Sequence, residues 1–423
     1  MTRIARSACL APLLVLASRA VQASEAPAQA GDDADEKRIR TLEEQVRSLQ
    51  DQLAQAEMAR ILDRAEIEAL APVAEERPED RVFTEKGRSL QAANPEISVS
   101  GDFVASLDAD AVALEGSPGE SGLPLRSLGL TFQSVLDPFS FTKIAIDFTP
   151  DPEEPVALEE AYITWSGLVP SLSLSLGRFR QQFGVVNRWH EHDLDQVQYP
   201  LPLEALLGPE GLVGNGLNAR WFMPRLWADA QDLTIEVVDG DNATLFSGEA
   251  FCVPAGLAHL RNYWDLSEST YLELGLTGMG GANRPPEGIT GDGWGRTWVG
   301  GADLMVTWVP PSRARYRSFT WRSEALLVER EEVDGSRSRG LGGWSYVVNQ
   351  FGPRWYGGVR GEAFRLEGDD WTWRVGPTAT FWQSEFVFIR LEYGFTANTL
   401  NGDDHRVLLQ ASWAAGPHKH EKY

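Results

Sequence analysis

The chain is long, acidic and poor in cysteine. Its 423 residues carry a formal net charge of −23 and two cysteines, and 43% of them are hydrophobic. No internal run approaches the roughly 20 apolar residues that a spanning helix needs, which excludes a bundle of membrane helices. The acidic balance argues against nucleic acid as a partner.

Residues 1–23 have the pattern of a secretory signal peptide. Arg3 and Arg6 form a short basic region, an apolar stretch follows, and small residues precede the predicted cleavage position. A buried N-terminal helix is the alternative interpretation. Cys9 lies inside this segment, so cleavage would leave Cys252 without a partner for an intrachain disulfide.

Three segments with different patterns follow the predicted signal peptide. Residues 24–35 are rich in Ala, Glu, Asp and Gly, which predicts an acidic disordered segment. Residues 36–71 form a predicted coiled coil, with a single amphipathic helix as the alternative. Steps of three and four separate its apolar residues Ile39, Leu42, Val46, Leu49, Leu53 and Ala56. Pro72 ends the helix, and residues 72–96 are an acidic linker.

Residues 97–423 are built from short alternating segments between turn signals. Val387 and Ile389 share one face of such a segment, and Arg390 and Glu392 take the other. A soluble sandwich also alternates, but here aromatic residues cluster near the strand ends and short turns alternate with long ones. That is the pattern of an outer-membrane barrel. The sequence therefore predicts an all-β fold, a transmembrane antiparallel β-barrel of about 16 strands, preceded by a short α-helical coiled coil.

The strand count also predicts which connections are short and which are long. An even count places both ends of the barrel in the periplasm, with the coiled coil and a C-terminal tail there. Short turns are expected near 265–267, 310–311, 351–353 and 383–384. Longer loops are expected at 279–296, 331–342 and 366–370, and the longest at about 180–215. Residues 240–264 show no clear alternation.

At this point the layout resembles the phosphate-selective porin O and P family of outer-membrane proteins. The stretches that carry the resemblance are NPEISVSGDF (94–103) and LGRFRQQFG (176–184). The chain is also similar to an uncharacterised branch with the pattern NR.H.HDL…YP, which reads NRWHEHDL (187–194) here and ends at Tyr199-Pro200. The resemblance implies a porin. We expect it to be a homotrimer that associates through its barrel walls and coiled coil.

The predicted bore departs from that family in its charge. Phosphate selectivity implies a bore rich in lysine and arginine, whereas alternation here directs charges of both signs inward. The predicted inward charges are Lys143, Arg322, Arg360, Arg374 and Arg390 with Asp102, Asp147, Glu160, Glu236, Glu273, Glu324, Glu362 and Glu392. Phosphate selectivity is therefore not carried over, because an acidic bore concentrates cations and repels anions.

The segment WHEHDLD (189–195) opens the longest loop and has three interpretations. In the first, the loop folds into the lumen and forms a constriction. The predicted lining or bracing residues are His190, Glu191, His192, Asp193, Asp195, Arg322, Glu324, Arg360, Glu362, Arg390 and Glu392. In the second, His190 and His192 bind zinc together on one side of an extended segment. In the third, the loop is hydrogen-bonded and has no role toward a solute.

No catalytic motif accompanies this segment. The sequence has neither a Gly-x-Ser-x-Gly elbow nor a His-Glu-x-x-His motif, so an enzyme is not predicted and no cofactor is expected. The predicted function is passive diffusion of small hydrophilic solutes or ions across the bacterial outer membrane, whose lipids surround the barrel. Zinc binding or uptake is the alternative, and a structural tether to the cell wall is a third hypothesis. The residues do not name the solute.

Overall fold

The computed structural model describes residues 95–108, 125–151, 155–242, 244–247, 254–283, 295–331, 335–399 and 402–416. The predicted signal peptide, disordered segment and coiled coil, and nearly all of the linker, lie outside the described residues, as do Cys9 and Cys252. Across the described ranges, no helix is both long and apolar enough to cross a membrane.

The described residues are mostly β-strand. In chain order the strands are β1 (Glu96–Asp108), β2 (Leu125–Asp137), β3 (Ser140–Phe148), β4 (Val156–Val169), β5 (Leu172–Arg180), β6 (Val213–Met223), β7 (Ala230–Val238), β8 (Asp241–Asn242), β9 (Phe246–Ser247), β10 (Ala255–Ser267), β11 (Thr270–Asn283), β12 (Gly295–Trp308), β13 (Phe319–Glu331), β14 (Arg337–Gln350), β15 (Trp355–Leu366), β16 (Thr372–Trp382), β17 (Val387–Thr399) and β18 (Gly402–Ala415). Between β5 and β6 lie one α-helix, α1 (Leu201–Leu207), and two 3-10 turns, Val186–Arg188 and Glu191–Asp193.

Sixteen of these strands close into one antiparallel barrel, which confirms the predicted fold. Each barrel strand pairs with its neighbours in the chain, and β1 closes the barrel on β18, from Val99 opposite Ala415 to Asp108 opposite Arg406. The remaining pair, β8 and β9, forms a small separate hairpin between β7 and β10. Closure pairs the edges of the sheet, which is required of strands surrounded by lipid.

The predicted alternation of short turns and long loops holds only in part. The connection expected as a short turn near 310–311 has ten residues, 309–318, and the predicted loop 279–296 is wrong in extent, because β11 continues to Asn283 and β12 begins at Gly295. At the end that carries Glu96 and Ala415, connections run through residues 268–269, 309–318, 351–354 and 383–386. The predicted loop 331–342 is wrong in extent, because β14 already begins at Arg337 and pairs with β13 there. Arg337 and Arg339 both bind Glu329, so polar cross-strand ion pairs continue the hairpin beyond its apolar part.

The unclear segment 240–264 contains the β8–β9 hairpin and the first part of β10. Alternation was hard to read in β10 because its inward residues Ala255 and Leu257 are apolar, like an outward face, and are buried. The outward positions Gly256 and Ala258 are small and exposed. The inward positions at the start of β10, which alternation would make polar, are therefore apolar because they pack inside the barrel.

Most of the barrel wall is apolar outside and polar inside. On β17, Ile389 and Leu391 are exposed on the outer surface, whereas Arg390 and Glu392 are 4% and 0% exposed. This is the inverse of a soluble protein and fits a wall that faces lipid. An apolar core also lies inside the barrel, where the connection between β5 and β6 packs against β10 to β14.

Candidate functional site

The connection between β5 and β6, residues 181–212, lies within the barrel and is called the inner loop below. Its apolar side chains are buried, with Val186 and Leu207 at 0% exposure and Trp189 at 2%. They pack against wall residues that include Met279 and Trp344. Complete burial of one such side chain contributes about 1.5–3 kcal/mol, so the apolar composition of this loop favours its inward position.

Helix α1 forms the later part of the inner loop and packs on β14 and β15. Pro202 stands in its first turn, where a proline fits because the amide hydrogen would have no helical partner. Gly342 of β14 leaves room for the helix, since a Cβ at that position would lie 2.7 Å from the Pro202 Cβ. The absence of a side chain at Gly342 therefore lets α1 pack closely against β14.

Glutamates of the wall accept hydrogen bonds from the backbone of the inner loop. Four of them do so. Glu236 accepts from Gln182 N (3.1 Å), Glu324 from Val185 N and Val186 N (3.2 and 2.9 Å), Glu392 from Val197 N (3.0 Å) and Glu362 from Leu201 N (2.9 Å). Buried backbone N–H groups require such partners. These carboxylates therefore hold the loop.

Arginines of the wall donate to backbone carbonyls of the same loop. The four contacts are Arg390 Nη1 to Gln196 O (2.8 Å), Arg126 Nη1 to Val197 O (2.5 Å), Arg360 Nη1 to Gln198 O (3.3 Å) and Arg374 Nη2 to Tyr199 O (3.0 Å). Together with the glutamates, they bind nearly every residue of the segment 196–201. The wall thus satisfies an extended stretch of backbone that has no strand partner.

The same wall residues also bind one another along neighbouring strands. Glu362 lies 3.2 Å from Arg360 and 2.8 Å from Arg374, and Glu392 lies 2.5 Å from Arg360. Asp102 pairs with Arg126 and accepts a hydrogen bond from Gln410. Removing one partner of a buried ion pair costs about 3–5 kcal/mol, because the other charge is left uncompensated.

The structure places the predicted wall residues beneath the inner loop. Arg322, Glu324, Arg360, Glu362, Arg390 and Glu392 point into the barrel and are 0–7% exposed. Among the predicted loop residues, Asp195 binds Arg322, whose guanidinium lies 4.4 Å above the Trp189 ring, and Glu191 lies 3.3 Å from Arg126. The predicted loop and wall residues thus contact one another, and these contacts chiefly hold the inner loop against the wall.

His190 occupies a nest of carboxylates that sequence reasoning found only in part. Its Nε2 lies 3.2 Å from Glu160 Oε2 and its Nδ1 lies 3.7 Å from Glu159 Oε2. Both glutamates face inward because β4 contains a bulge. Glu160 pairs with Ala145 and Leu158 with Ile146, so Glu159 is the extra residue. Two consecutive glutamates in one strand are the signal that could have revealed it.

The zinc interpretation is not supported by this nest. His192 stacks on His190 with ring centroids 5.7 Å apart, but the carboxylates beside them are bound to cations. Lys143 lies 2.6 Å from Glu160, and Arg180 binds Glu159. In the part of the chain that the structure describes, no group of three or more His, Cys, Asp or Glu residues could hold a metal ion.

Two cavities flank the inner loop on the side of the barrel end that carries Glu96 and Ala415. The first, called the arginine cavity, has a volume of about 400 Å³ and is lined by Arg180, Arg188, Arg220 and Glu160 among others. The second, called the aromatic cavity, has about 300 Å³. Its lining includes Tyr271, Tyr356, Trp382, Phe388, Arg390 and Thr307. Ser318, from the turn between β12 and β13, also lines it and marks its position toward that end.

The arginine cavity contains an arginine that the sequence reasoning did not single out. Arg188 belongs to the inner loop, is partly buried, and forms no ion pair within the described residues. Burial and the neighbouring charge of Arg220 lower the pKa of Arg188. Its position could not be read from alternation, because a loop has no fixed period.

Comparisons with known proteins identify the type of barrel. No protein-family model matches the chain. An uncharacterized protein of Aquifex aeolicus (strain VF5) is 26% identical over 266 residues, a match that covers 56% of this chain and 54% of that protein. The chain therefore spans about half the length of this curated relative.

Solved structures of outer-membrane channels have a similar barrel. The anion-selective porin from Comamonas acidovorans gives a TM-score of 0.54 at 10% identity, over 76% of this chain and 100% of that one. OmpF of Salmonella typhi, in complex with daunomycin, gives 0.52 at 9% identity, over 77% and 99%. The outer membrane channel DcaP of Acinetobacter baumannii gives 0.51 at 14% identity, over 76% and 97%. At these identities the likeness shows that the chain has the porin fold.

Proposed function

We propose that the protein is an outer-membrane porin through which small hydrophilic solutes and ions diffuse passively. The observation that carries this proposal is the position of the inner loop, which lies within the lumen of a closed barrel and is bound to the wall by charged side chains. The predicted constriction, residues 180–215, corresponds to this loop with the adjoining ends of β5 and β6. The exposed apolar outer face is suited to outer-membrane lipid.

Two groups of predicted site residues have different parts in this proposal. His192, Asp193 and Asp195 line the aromatic cavity, where a passing solute would meet them. Glu324, Arg360, Glu362 and the other buried wall residues hold the inner loop in position. Apart from Arg322 and Arg390, which also line the aromatic cavity, these wall charges set the shape of the pore through the loop rather than by direct contact with the solute.

The charges that line the arginine cavity favour anions over cations. The sequence-based expectation of a cation-concentrating bore counted all inward acids. In the structure, Glu236, Glu324, Glu362 and Glu392 bind loop N–H groups. The arginine cavity presents Arg180, Arg188 and Arg220 with one acid, Glu160. Arg180 binds Glu159 and Arg220 binds Asp232, so Arg188 is the lining arginine that has no ion pair among the described residues. We therefore propose a weak anion preference.

The proposal extends to the oligomeric state of the protein and to its family. We propose a homotrimer that associates through its barrel walls and a periplasmic coiled coil. The resemblance in layout to porins supports this assembly. Chemical cross-linking of membranes should yield a trimer, and a monomer alone would contradict it. A relationship to the phosphate-selective porin O and P family rests on the stretches 94–103 and 176–184, and phosphate selectivity is not part of the proposal.

Passive diffusion is tested by swelling of proteoliposomes. Vesicles that contain the refolded, heat-modifiable protein should swell in iso-osmotic arabinose, more slowly in larger sugars, and hardly at all in a neutral polymer such as dextran. Size-dependent entry without a substrate optimum is the mark of diffusion through a constriction. Vesicles that do not swell in arabinose, although the protein is folded, would contradict the proposed function.

A further inference from the structure

One buried cation of the lumen lacks a charged partner. Arg390 is 4% exposed, and within the described residues it forms no ion pair. Its Nε donates to Thr380 Oγ1 at 3.1 Å, and its Nη1 donates to Gln196 O at 2.8 Å and to Gln410 Oε1 at 2.9 Å. All three acceptors are neutral. The carboxylates that act on its charge, Asp195, Glu392 and Asp102, lie beyond ion-pair distance. Buried charges in proteins are usually paired, so a guanidinium with no carboxylate in contact is suited to an anionic ligand.

The unpaired arginine lines the aromatic cavity rather than solid protein. Its Nη2 makes no hydrogen bond to the part of the chain that the structure describes, and Arg390 is part of the cavity lining. A guanidinium offers a planar fork of N–H donors that matches a carboxylate. The other arginine of this cavity, Arg322, is occupied by Asp195, so Arg390 is the guanidinium available to a ligand.

A second polar group of the cavity also lacks a partner. Thr307 Oγ1 is buried and has no hydrogen-bond partner among the described residues, and Thr307 lines the same cavity. Leaving a buried hydroxyl without a partner costs about 1–3 kcal/mol. The unpaired hydroxyl and Arg390 are independent observations on the lining of one cavity.

The remaining walls determine the body of the ligand. Tyr271, Tyr356, Trp382 and Phe388 give the cavity aromatic faces, and Phe388 lies 4.8 Å from the Arg390 guanidinium. Aromatic walls favour a flat apolar body by stacking and area burial. The volume of about 300 Å³ is at the lower end for small-molecule sites. Of the two acids in the lining, Asp195 binds Arg322 and Asp193 lies 3.5 Å from His192.

We propose that the aromatic cavity is a binding site for small aromatic carboxylates, with the carboxylate on Arg390 and the ring between the aromatic walls. This inference deepens the proposed function by naming a solute class for the same lumen, and it rests on that function only for access through the pore. Such a site would hold the solute briefly on its way along the constriction, which raises its local concentration there.

Binding of sodium benzoate to the detergent-solubilised, folded protein tests the site without any transport. Titration calorimetry or saturation-transfer NMR should detect saturable binding, and acetate should bind at least several-fold more weakly because it lacks the ring. Arg390→Gln should weaken benzoate binding roughly tenfold or more, as expected for loss of a charge-assisted hydrogen bond. The matched control Arg339→Gln removes an equal charge from an exposed rim position and should leave binding unchanged.

A second variant covers the case in which Arg390→Gln disturbs the inner loop. Thr307→Val keeps the shape of the side chain and removes only the hydroxyl, which has no partner to lose within the described residues. It should therefore retain the heat-modifiable fold and bind benzoate several-fold more weakly. Equal affinity for benzoate and acetate, benzoate binding that neither variant weakens, or no binding by folded wild-type protein would each overturn the site. Because swelling is measured separately, failure of the site is distinguishable from failure of the porin.

Discussion

At the scale of single residues, Glu324 shows how the wall fixes the start of the inner loop. The backbone at Gly184 has φ 55°, and a Cβ there would collide with the Glu324 carboxylate. That carboxylate occupies the space and accepts from the next two N–H groups, those of Val185 and Val186. A glycine is required where the chain turns around a buried acceptor.

Replacement of Glu324 by alanine should destabilise the inner loop. Each buried N–H that loses its acceptor costs roughly 1–3 kcal/mol, and Glu324→Ala removes the acceptor of two. Limited proteolysis in detergent should then cut within residues 181–212 faster than in wild-type protein. Glu324→Gln retains a side-chain oxygen and is the control. Equal cleavage rates for Glu324→Ala and wild type would show that the carboxylate does not hold the loop.

At the scale of elements, α1 carries a partly buried ionisable group, Glu204, beside charged wall residues. Burial raises the pKa of Glu204 to about 7, with Arg374 acting in the opposite direction. The folded protein therefore retains a proton on Glu204 at pH values where the unfolded chain has lost it. This proton stabilises the packing of α1 at acidic pH. The stabilisation declines as the pH rises from the ordinary glutamate range toward 7.

Glutamine at position 204 should remove this pH dependence. Glu204→Gln cannot ionise, so its melting temperature should exceed that of wild type at pH 8 and approach it near pH 4. The measurement is a pair of thermal melts at each pH, followed by tryptophan fluorescence. Glu210, an exposed acid of the same loop, provides Glu210→Gln as a control. A difference between wild type and Glu204→Gln that is independent of pH would contradict the assignment.

The elements also show what the sequence could and could not predict. Alternation in β17 and β18 predicted strands, because lipid outside and polar groups inside leave a period of two. Closure was expected because an open sheet edge cannot be satisfied in lipid. The start of β10 was obscured because apolar residues face inward against the inner loop. Position 159 was not recognised as inward because a bulge shifts the period by one residue. The pairing of Glu362 with the Leu201 N–H depends on how a loop of 32 residues sits in the lumen, and no periodicity encodes that.

At the scale of the whole molecule, total charge and pore charge differ. The chain carries a formal net charge of −23, yet several inward acids bind loop N–H groups and wall arginines. Field effects on a passing ion depend on the charges that line the water-filled space. Arg188, which lines the arginine cavity and has no ion pair among the described residues, should therefore influence ion preference more than the excess of acids over the whole chain.

Ion preference is measured as the reversal potential across a tenfold potassium chloride gradient. The wild-type channel should show a modest chloride preference. Arg188→Gln should reduce it, because it removes the arginine of the arginine cavity that has no ion pair within the described residues. Arg225→Gln, which alters an exposed turn, is the control. A strong potassium preference in wild type would contradict this argument. It would favour the cation-concentrating bore that was predicted from the number of inward acids.

Single-channel conductance of a loop-deleted barrel tests the central claim most directly, that the inner loop narrows a conducting lumen. Deletion of residues 185–210 leaves six residues of the inner loop, residues 181–184 and 211–212, to connect β5 with β6. Both proteins would be checked for heat-modifiable folding and recorded in planar bilayers under identical salt. We expect open, ohmic steps from both, with a severalfold larger conductance for the deletion variant. Equal conductance in the two folded proteins would contradict the account.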